Sequence, residues 1–165
     1  MEGNAVSTYH DRDKEFIDMA VRLALEAVTE GGGPFGAVIT AQEKLLSIGK
    51  NEAEVIGDPT AHAELLAIRG AARALSSRWL TGCTLYSSAE PGPMCLAACY
   101  WADIGRIVFA VSSKRAAELG LGDLIVRREI CAEPSSRTIR MDHLPVSNGE
   151  DPFSVRNVNR SGLRR

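Results

Sequence analysis

The second half of the chain alternates between strand-like and helix-like segments, and this alternation constrains the fold more than any other feature. Residues 83–89 (CTLYSSA) and 106–112 (RIVFAVS) are short β-prone runs, and residues 93–102 between them have the composition of a helix. Parallel neighbouring strands cannot be joined by a tight turn and need a longer crossover connection, usually a helix. The pattern therefore predicts an α/β fold in which these two strands pair in parallel.

The first half of the chain adds a helix and a hairpin. Apolar side chains recur at helical spacing over residues 13–29, and Asp11 or Asp13 is available as the N-cap. Short β-prone runs at 34–40 and 45–51 lie on either side of an Ala-Gln-Glu-Lys stretch. Two such runs separated by a short polar connection predict a β-hairpin.

Three further helices complete the pattern. Asp58-Pro59-Thr60 predicts the start of a helix that runs to about Leu75, since proline suits the first turn of a helix. Residues 113–120 and 122–130 predict two shorter helices. Taken together, the segments predict a three-layer α/β/α sandwich with a mixed five-stranded sheet.

Composition limits the class of protein. The chain has 165 residues, 45% hydrophobic and 24% charged, with a formal net charge of −2, so we expect a single domain over 1–165 that does not hold nucleic acid by charge alone. No run approaches the roughly 18 apolar residues of a membrane span, and a cytoplasmic protein is expected. Four cysteines are too few for a disulfide scaffold, so they are interpreted as reduced thiols or metal ligands.

The residues that carry chemistry lie at two predicted helix N-termini. His62 and Glu64 are two residues apart in one first turn, and Cys95 lies at the start of the next helix. Helix N-termini favour negative charge, so this arrangement suits a thiolate and a hydroxide. An H-x-E motif followed by P-C-x-x-C is the signature of zinc-dependent nucleobase deaminases, but Gly92 stands here at the position of the first cysteine.

A resemblance follows from the complete set of segments. The chain resembles the cytidine deaminase superfamily, and within it the bacterial zinc-dependent guanine deaminases, from about residue 13 to residue 140. The matching segments are GGPFGAVI (32–39), Asn51, DPTAHAE (58–64), AIR (67–69), EPGPMC (90–95), YWA (100–102), the segment 116–120 with Asp123, and SRTI (136–139). A cytidine-deaminase-like sandwich and hydrolytic deamination are what the resemblance implies.

The resemblance also implies a role for each matching residue. His62 and Cys95 would bind Zn²⁺, while Glu64 would take a proton from the attacking water and deliver it to the leaving amine. The substrate-binding residues would be Phe35, Asn51, Ala63, Trp101 and Asp123. For Phe35 and Trp101 a role in core packing is the alternative, and for Asn51 the alternative is a role in shaping a turn.

Gly92 leaves the zinc ligand set one residue short, and three outcomes stay open. A second water could complete the shell, Cys99 could supply the ligand, or zinc binds too weakly to be useful. Cys95 and Cys99 are i and i+4 on one helix, with Cβ atoms about 5–6 Å apart. Against ligation, Cys99 is also the kind of small apolar residue that a core accepts.

The tail at about 145–165 is interpreted as a segment that packs on a second subunit. In the guanine deaminases that the chain resembles, a C-terminal aromatic residue closes the pocket across a domain-swapped dimer. A homodimer, with the tail exchanged between subunits, is still expected. Because this chain ends Gly-Leu-Arg-Arg and lacks that aromatic residue, the resemblance does not establish guanine itself as the substrate.

The sequence therefore favours zinc-dependent release of ammonia from a small aminoheterocycle, a guanine-like purine or a related aminopyrimidine or aminotriazine. One alternative is a metal-deficient relative that binds a ligand or serves as an interaction protein. Another is a tRNA adenosine deaminase, which would need a basic surface that a net charge of −2 does not provide. No membrane partner is expected.

Overall fold

A computed structural model describes residues 11–160 of the chain. Seven α-helices and four β-strands are found in this range. In chain order they are α1 (Asp11–Thr29), β1 (Gly36–Ala41), β2 (Lys44–Lys50), α2 (Ala53–Ile56), α3 (Ala63–Ala74), β3 (Cys83–Ala89), α4 (Pro93–Trp101), β4 (Arg106–Val111), α5 (Ser113–Glu118), α6 (Leu124–Cys131), a 3₁₀ turn (Pro134–Ser136) and α7 (Asp151–Arg160). The chain divides into two compact units, Met1–Arg128 and Glu129–Arg165.

The sheet of the first unit has the strand order β2-β1-β3-β4. β1 pairs with β2 and with β3 antiparallel, and β3 pairs with β4 in parallel. The predicted hairpin and the predicted parallel pair joined by α4 are both confirmed. The prediction of five strands is not confirmed, because four strands form the sheet in the described part of the chain and the segments that follow β4 are helical.

Helices cover both faces of this sheet, as the three-layer prediction requires. On one face, Phe16 and Ala20 of α1 pack against Val38, Tyr86 and Val108 of the strands. On the other face, side chains of β1 and β3 pack against α3 and α4. The buried residues of this cluster include Ala37, Ile39 and Leu85 of the strands, Ala63, Ala67 and Ala71 of α3, Cys99 of α4, and Ala102 directly after α4. The small residues of α3 let its backbone approach the sheet closely, which fixes the position of its N-terminus.

The predicted start of α3 at Pro59 is wrong. Asp58 Oδ1 accepts hydrogen bonds from the Thr60 backbone N–H (2.8 Å) and hydroxyl (2.7 Å), and its backbone carbonyl accepts from Ala61 N–H (3.0 Å). The two hydrogen bonds from Thr60 lower the pKa of Asp58, and the Thr60 hydroxyl contributes most. Aspartate and proline here build a turn, and the helix begins only at Ala63, with His62 as an extended N-cap residue.

The predicted capping role of Asp13 is also wrong. Asp13 lies inside α1, its side chain is buried, and both carboxylate oxygens accept from Arg106 of β4 at 2.7 Å. Asp11 is the first residue of α1. The residue before it lies outside the described part of the chain.

The second unit contains the end of α6, the 3₁₀ turn and α7. Arg137 donates to the carbonyl oxygens of Ala132 (3.1 Å) and Ile130 (3.4 Å), and Thr138 N–H donates to the Glu129 carboxylate (2.6 Å). These contacts fasten the 3₁₀ turn to the end of α6. The final Gly-Leu-Arg-Arg of the chain lies outside the described residues, and none of the helices found in 11–160 has the length and hydropathy to cross a bilayer.

Candidate active site

The candidate site lies where the N-termini of α3 and α4 meet. His62 is the N-cap residue of α3, Glu64 lies in its first turn, and Cys95 lies in the first turn of α4. Glu64 and Cys95 are buried, with exposed fractions of 5% and 1%. The parallel pairing of β3 with β4 places α4 on the same face of the sheet as α3, and this brings the two helix starts together.

The three side chains have the geometry of a metal site. The ligand atoms of His62, Glu64 and Cys95 all lie within 4.8 Å of one another. His62 Nδ1 and Cys95 Sγ are 3.5 Å apart. Two ligands bound to one tetrahedral zinc at about 2.1 and 2.3 Å would be about 3.6 Å apart. An imidazole and a thiol at this separation fit zinc without rearrangement.

Burial raises the pKa of both nearby thiols, Cys95 and Cys99. The pKa of Cys95 is raised well above its usual value, chiefly by burial and then by the charge of Glu64. The pKa of Cys99 is raised to about 12 for the same two reasons. Metal binding requires a thiolate, so zinc must displace a proton from Cys95.

Cys99 is not brought into the metal group. Its side chain is 3% exposed and packs in the apolar core with Leu80 and Ala102. The trio of possible metal ligands found in the described residues does not include it. The geometry therefore supports the core-packing interpretation of Cys99 rather than the interpretation as a zinc ligand.

A small cavity of about 150 Å³ opens beside the trio. Its wall includes Phe35, Glu90, Gly92, Asp123 and Arg127 as well as His62 and Glu64. Pockets for drug-sized ligands are typically about 300–1,000 Å³. The cavity therefore suits a small ring system, and the aromatic ring of Phe35 offers one apolar surface for it.

Asp123 is held at the edge of this cavity by Arg127. Arg127 Nε donates to Asp123 Oδ1 at 2.6 Å, and Arg127 also donates to the carbonyl oxygen of Pro91 at 3.3 Å. A Cβ atom built on Gly92 would be 2.6 Å from Asp123 Oδ2. The other carboxylate oxygen therefore faces the position of the missing cysteine side chain.

Three of the predicted substrate-binding residues do not line this cavity. Asn51 is buried, and its Oδ1 accepts from the backbone N–H of Ala53 at 3.1 Å, as its alternative role in shaping a turn requires. Ala63 is fully buried in the core. Trp101 ends α4 and is 77% exposed, so in this single chain it lines neither the cavity nor the core.

Three polar residues at the site were not predicted from the sequence. Ser87 donates to Glu64 Oε1 at 3.4 Å from the middle of β3. Glu90 accepts from Ser113 N–H at 2.7 Å, and this backbone hydrogen bond lowers the pKa of Glu90. Only Arg127 had a signal in the sequence, because it follows Asp123 by four residues in a predicted helix.

Comparison with known proteins agrees with this geometry. The model of the cytidine and deoxycytidylate deaminase zinc-binding region matches residues 10–111. The chain is 42% identical over 141 residues to the guanine deaminase of Bacillus subtilis, covering 85% of this chain and 90% of the relative. It is 32% identical over 140 residues to a tRNA-specific adenosine deaminase of Aquifex aeolicus, covering 84% of this chain and 89% of the relative.

Solved structures give the same result. The X-ray structure of the Bacillus subtilis guanine deaminase has a TM-score of 0.86 and 38% identity, and the alignment covers 92% of this chain and 97% of that one. A protein solved in complex with 2,6-diaminopurine has a TM-score of 0.62 and 28% identity, covering 66% of this chain and 61% of that one.

Proposed function

Because this chain belongs to the cytidine and deoxycytidylate deaminase family, whose zinc-binding region it contains, we propose that it is a zinc-dependent aminohydrolase that deaminates a guanine-like base. The observation that carries the proposal is the trio His62, Glu64 and Cys95, with ligand atoms within 4.8 Å of one another beside a small cavity. The relative with 42% identity is a guanine deaminase, and a structural neighbour holds a diaminopurine.

His62 and Cys95 would hold the metal. When bound, zinc supplies a Lewis acid that lowers the pKa of water to about 7 and so provides hydroxide at neutral pH. The carboxylate of Glu64 lies beside both donors and is hydrogen-bonded by Ser87, which orients it. Glu64 takes the proton from the attacking water and gives it to a ring nitrogen. It then moves the proton of the newly formed hydroxyl group to the amine, which leaves as ammonia, because Glu64 is the buried acid–base group of the site.

The cavity wall suits a planar ring that carries amino groups. Phe35 provides an apolar face, and Asp123 provides a carboxylate that can accept hydrogen bonds. We also propose Asn51, Ala63 and Trp101 as substrate-binding residues, and the support for them is the match to the family over residues 10–111. Water leaves the cavity when a ring fills it, and the electrostatic effect of Glu64 on the reacting atoms increases as a result.

Substitution of Glu64 tests the reaction. Ammonia release from guanine, 2,6-diaminopurine, isocytosine, ammeline, cytosine and adenine should show one preferred aminoheterocycle for the wild type. Glu64→Gln should lower kcat by about 10²- to 10⁴-fold, the contribution of a general acid–base group. Asp103→Asn, an exposed carboxylate outside the cavity, is the control. Full turnover by Glu64→Gln would contradict the mechanism.

A second candidate function is deamination of adenosine in tRNA. The observation in its favour is the 32% identity to the tRNA-specific deaminase of Aquifex aeolicus. Phosphate contacts require a basic surface, whereas this chain has a net charge of −2 and a pI near 5.9. Formation of inosine in tRNA at physiological salt, with no ammonia release from free bases, would select this function.

We also propose that the enzyme is a homodimer whose tail, about residues 145–165, packs on the partner chain. Trp101 and Tyr100 at the end of α4 are 77% and 80% exposed, and Phe153 of α7 is 70% exposed, which are large apolar surfaces for a monomer to leave in water. Sedimentation at micromolar concentration tests this, and a monomer would contradict it. The four free thiols, Cys83, Cys95, Cys99 and Cys131, support a location in the reducing cytoplasm.

A further inference from the structure

The zinc ligand set of this chain is one protein residue short. Catalytic zinc sites use three protein ligands and keep the fourth position for water or substrate. His62 and Cys95 account for two, and Gly92, the N-cap residue of α4, has no side chain to offer. An assignment of the third protein ligand rests on the proposed zinc-dependent function.

The carboxylate of Asp123 lies where the missing side chain would be. A Cβ atom on Gly92 would be 2.6 Å from Asp123 Oδ2 and 3.7 Å from its Cγ. The space that a cysteine would need at position 92 is therefore occupied by a carboxylate oxygen. Oxygen ligands of zinc bind at about 2.0–2.2 Å, close to the 2.3 Å of a thiolate.

The hydrogen bonds of Asp123 leave this oxygen available. Arg127 donates to Oδ1, while Oδ2 is the atom that faces Gly92. Arg127 is itself held by the carbonyl oxygen of Pro91, directly before the missing ligand. Carboxylates that bind metals are commonly oriented by such an outer hydrogen bond. Asp123 does not belong to the group of donor atoms that lie within 4.8 Å of one another, so its carboxylate must move toward the metal to bind it, and the lack of a side chain at Gly92 leaves room for that movement.

Two other side chains near the metal fit less well as the third ligand. Cys99 is packed in the apolar core with its pKa raised to about 12. Glu64 accepts from Ser87 and is needed to move protons. Charge favours Asp123 as well, because Zn²⁺ with one thiolate and one carboxylate is neutral, as it is with two thiolates.

We propose that the carboxylate of Asp123 replaces the missing thiolate of position 92 as the third protein ligand of zinc. The site of this chain is then His62, Cys95 and Asp123, with Glu64 unligated, and Asp123 serves the metal instead of an amino group of the substrate. A carboxylate is a harder ligand than a thiolate, so the site should bind zinc more weakly than a site with two thiolates does.

Zinc affinity, measured on the full chain by competition with a chromophoric chelator, tests this assignment without any assay of turnover. Asp123→Asn should weaken binding by about 100-fold or more, beyond the 10- to 100-fold loss typical of an outer-shell partner. Cys99→Ser and the exposed control Asp103→Asn should each keep wild-type affinity. Thermal melts in the presence of EDTA confirm that Asp123→Asn folds like the wild type.

Visible absorption of the cobalt-substituted protein counts the thiolates directly. The wild type should show the sulfur-to-cobalt band of a single thiolate, unchanged by Cys99→Ser. Gly92→Cys combined with Asp123→Ala should restore tight zinc binding and roughly double that band, since it rebuilds a second thiolate ligand.

Two results would overturn the assignment while leaving the deaminase function intact: wild-type zinc affinity in Asp123→Asn, or a two-thiolate cobalt spectrum in the wild type that Cys99→Ser reduces. A wild-type protein that binds no zinc at this site, with the same result in His62→Ala, would instead refute both the ligand assignment and the zinc-dependent function.

Discussion

Tyr86 shows how one buried hydrogen bond ties the first helix to the sheet. Its hydroxyl donates to Asp13 Oδ1 at 2.8 Å, and Arg106 donates to both oxygens of that carboxylate. Burial and the neighbouring carboxylate raise the pKa of Tyr86 to about 12. The folded state therefore prefers the neutral phenol, and its contribution to stability is present below pH 10 and is lost as the pH rises toward 12.

We expect Tyr86→Phe to lower the free energy of unfolding by about 1.5–3 kcal/mol at pH 8, the value of a hydrogen bond to a charged group. The difference between the two proteins should shrink above pH 10, because the wild type alone must ionise this phenol on unfolding. Urea titrations at pH 8 and pH 11.5 measure both effects. Tyr100→Phe, at an 80% exposed position, is the control. A constant difference across this range would contradict the assignment.

At the scale of elements, the position of α3 depends on how closely β2 approaches it. A Cβ atom on Gly49 of β2 would collide with the carbonyl oxygen of Ala63 and lie 2.8 Å from the backbone nitrogen of Ala67. Backbone atoms cannot move aside as a flexible side chain can. The absence of a side chain at Gly49 therefore keeps the start of α3, with His62 and Glu64, at the cavity.

Gly49→Ala should lower the free energy of unfolding by about 1–3 kcal/mol, the usual cost of overpacking a core. It should also weaken zinc binding, since it pushes the N-terminus of α3 away from Cys95. Denaturant titration and the chelator competition measure these two effects. Gly105→Ala is the matched control, because the nearest atom to its added Cβ would be 3.6 Å away. Equal stability of the two variants would disprove the close approach.

At the scale of the whole molecule, every residue of the metal trio and of the cavity wall lies in the first compact unit, Met1–Arg128. The family match, over residues 10–111, falls in this unit as well. The unfolded chain cannot hold His62 and Cys95 together, since they are separated by 33 residues. Metal binding is therefore coupled to folding of this unit.

Zinc at 100 times its dissociation constant should stabilise the folded chain by about 2.7 kcal/mol. For a chain of this size that corresponds to a rise in Tm of about 5–10 °C over the EDTA-treated protein. Differential scanning calorimetry of the two forms measures the shift. His62→Ala should show no such rise. An identical Tm with and without the metal would contradict the coupling.

Local signals in the sequence were sufficient for much of the fold. The strand over 83–89 has the predicted bounds, and α4 differs from its prediction by one residue. Both follow from short-range preferences: β-branched and aromatic side chains in the strand, and proline at a helix start. The H-x-E motif and Cys95 were likewise readable, because their chemistry depends on residue type and spacing alone.

Other features depended on contacts between residues far apart in the sequence. Asp58 competes with the helix for backbone hydrogen bonds, so α3 begins four residues later than Pro59 suggests. Trp101 is exposed because the helix turns it away from the core, which composition does not reveal. The placement of Asp123 beside Gly92 joins α6 to α4 and has no local signal.

The sequence alone determined most of the elements, the class of fold and the residues capable of zinc chemistry, because each of these depends on side-chain type and near-neighbour spacing. Tertiary structure decided which of those residues meet. It brings His62, Glu64 and Cys95 together, buries Cys99 in the core and places a carboxylate oxygen of Asp123 beside Gly92. The reason is that distances across a fold are set by how its helices pack on the sheet, and no local pattern encodes that packing.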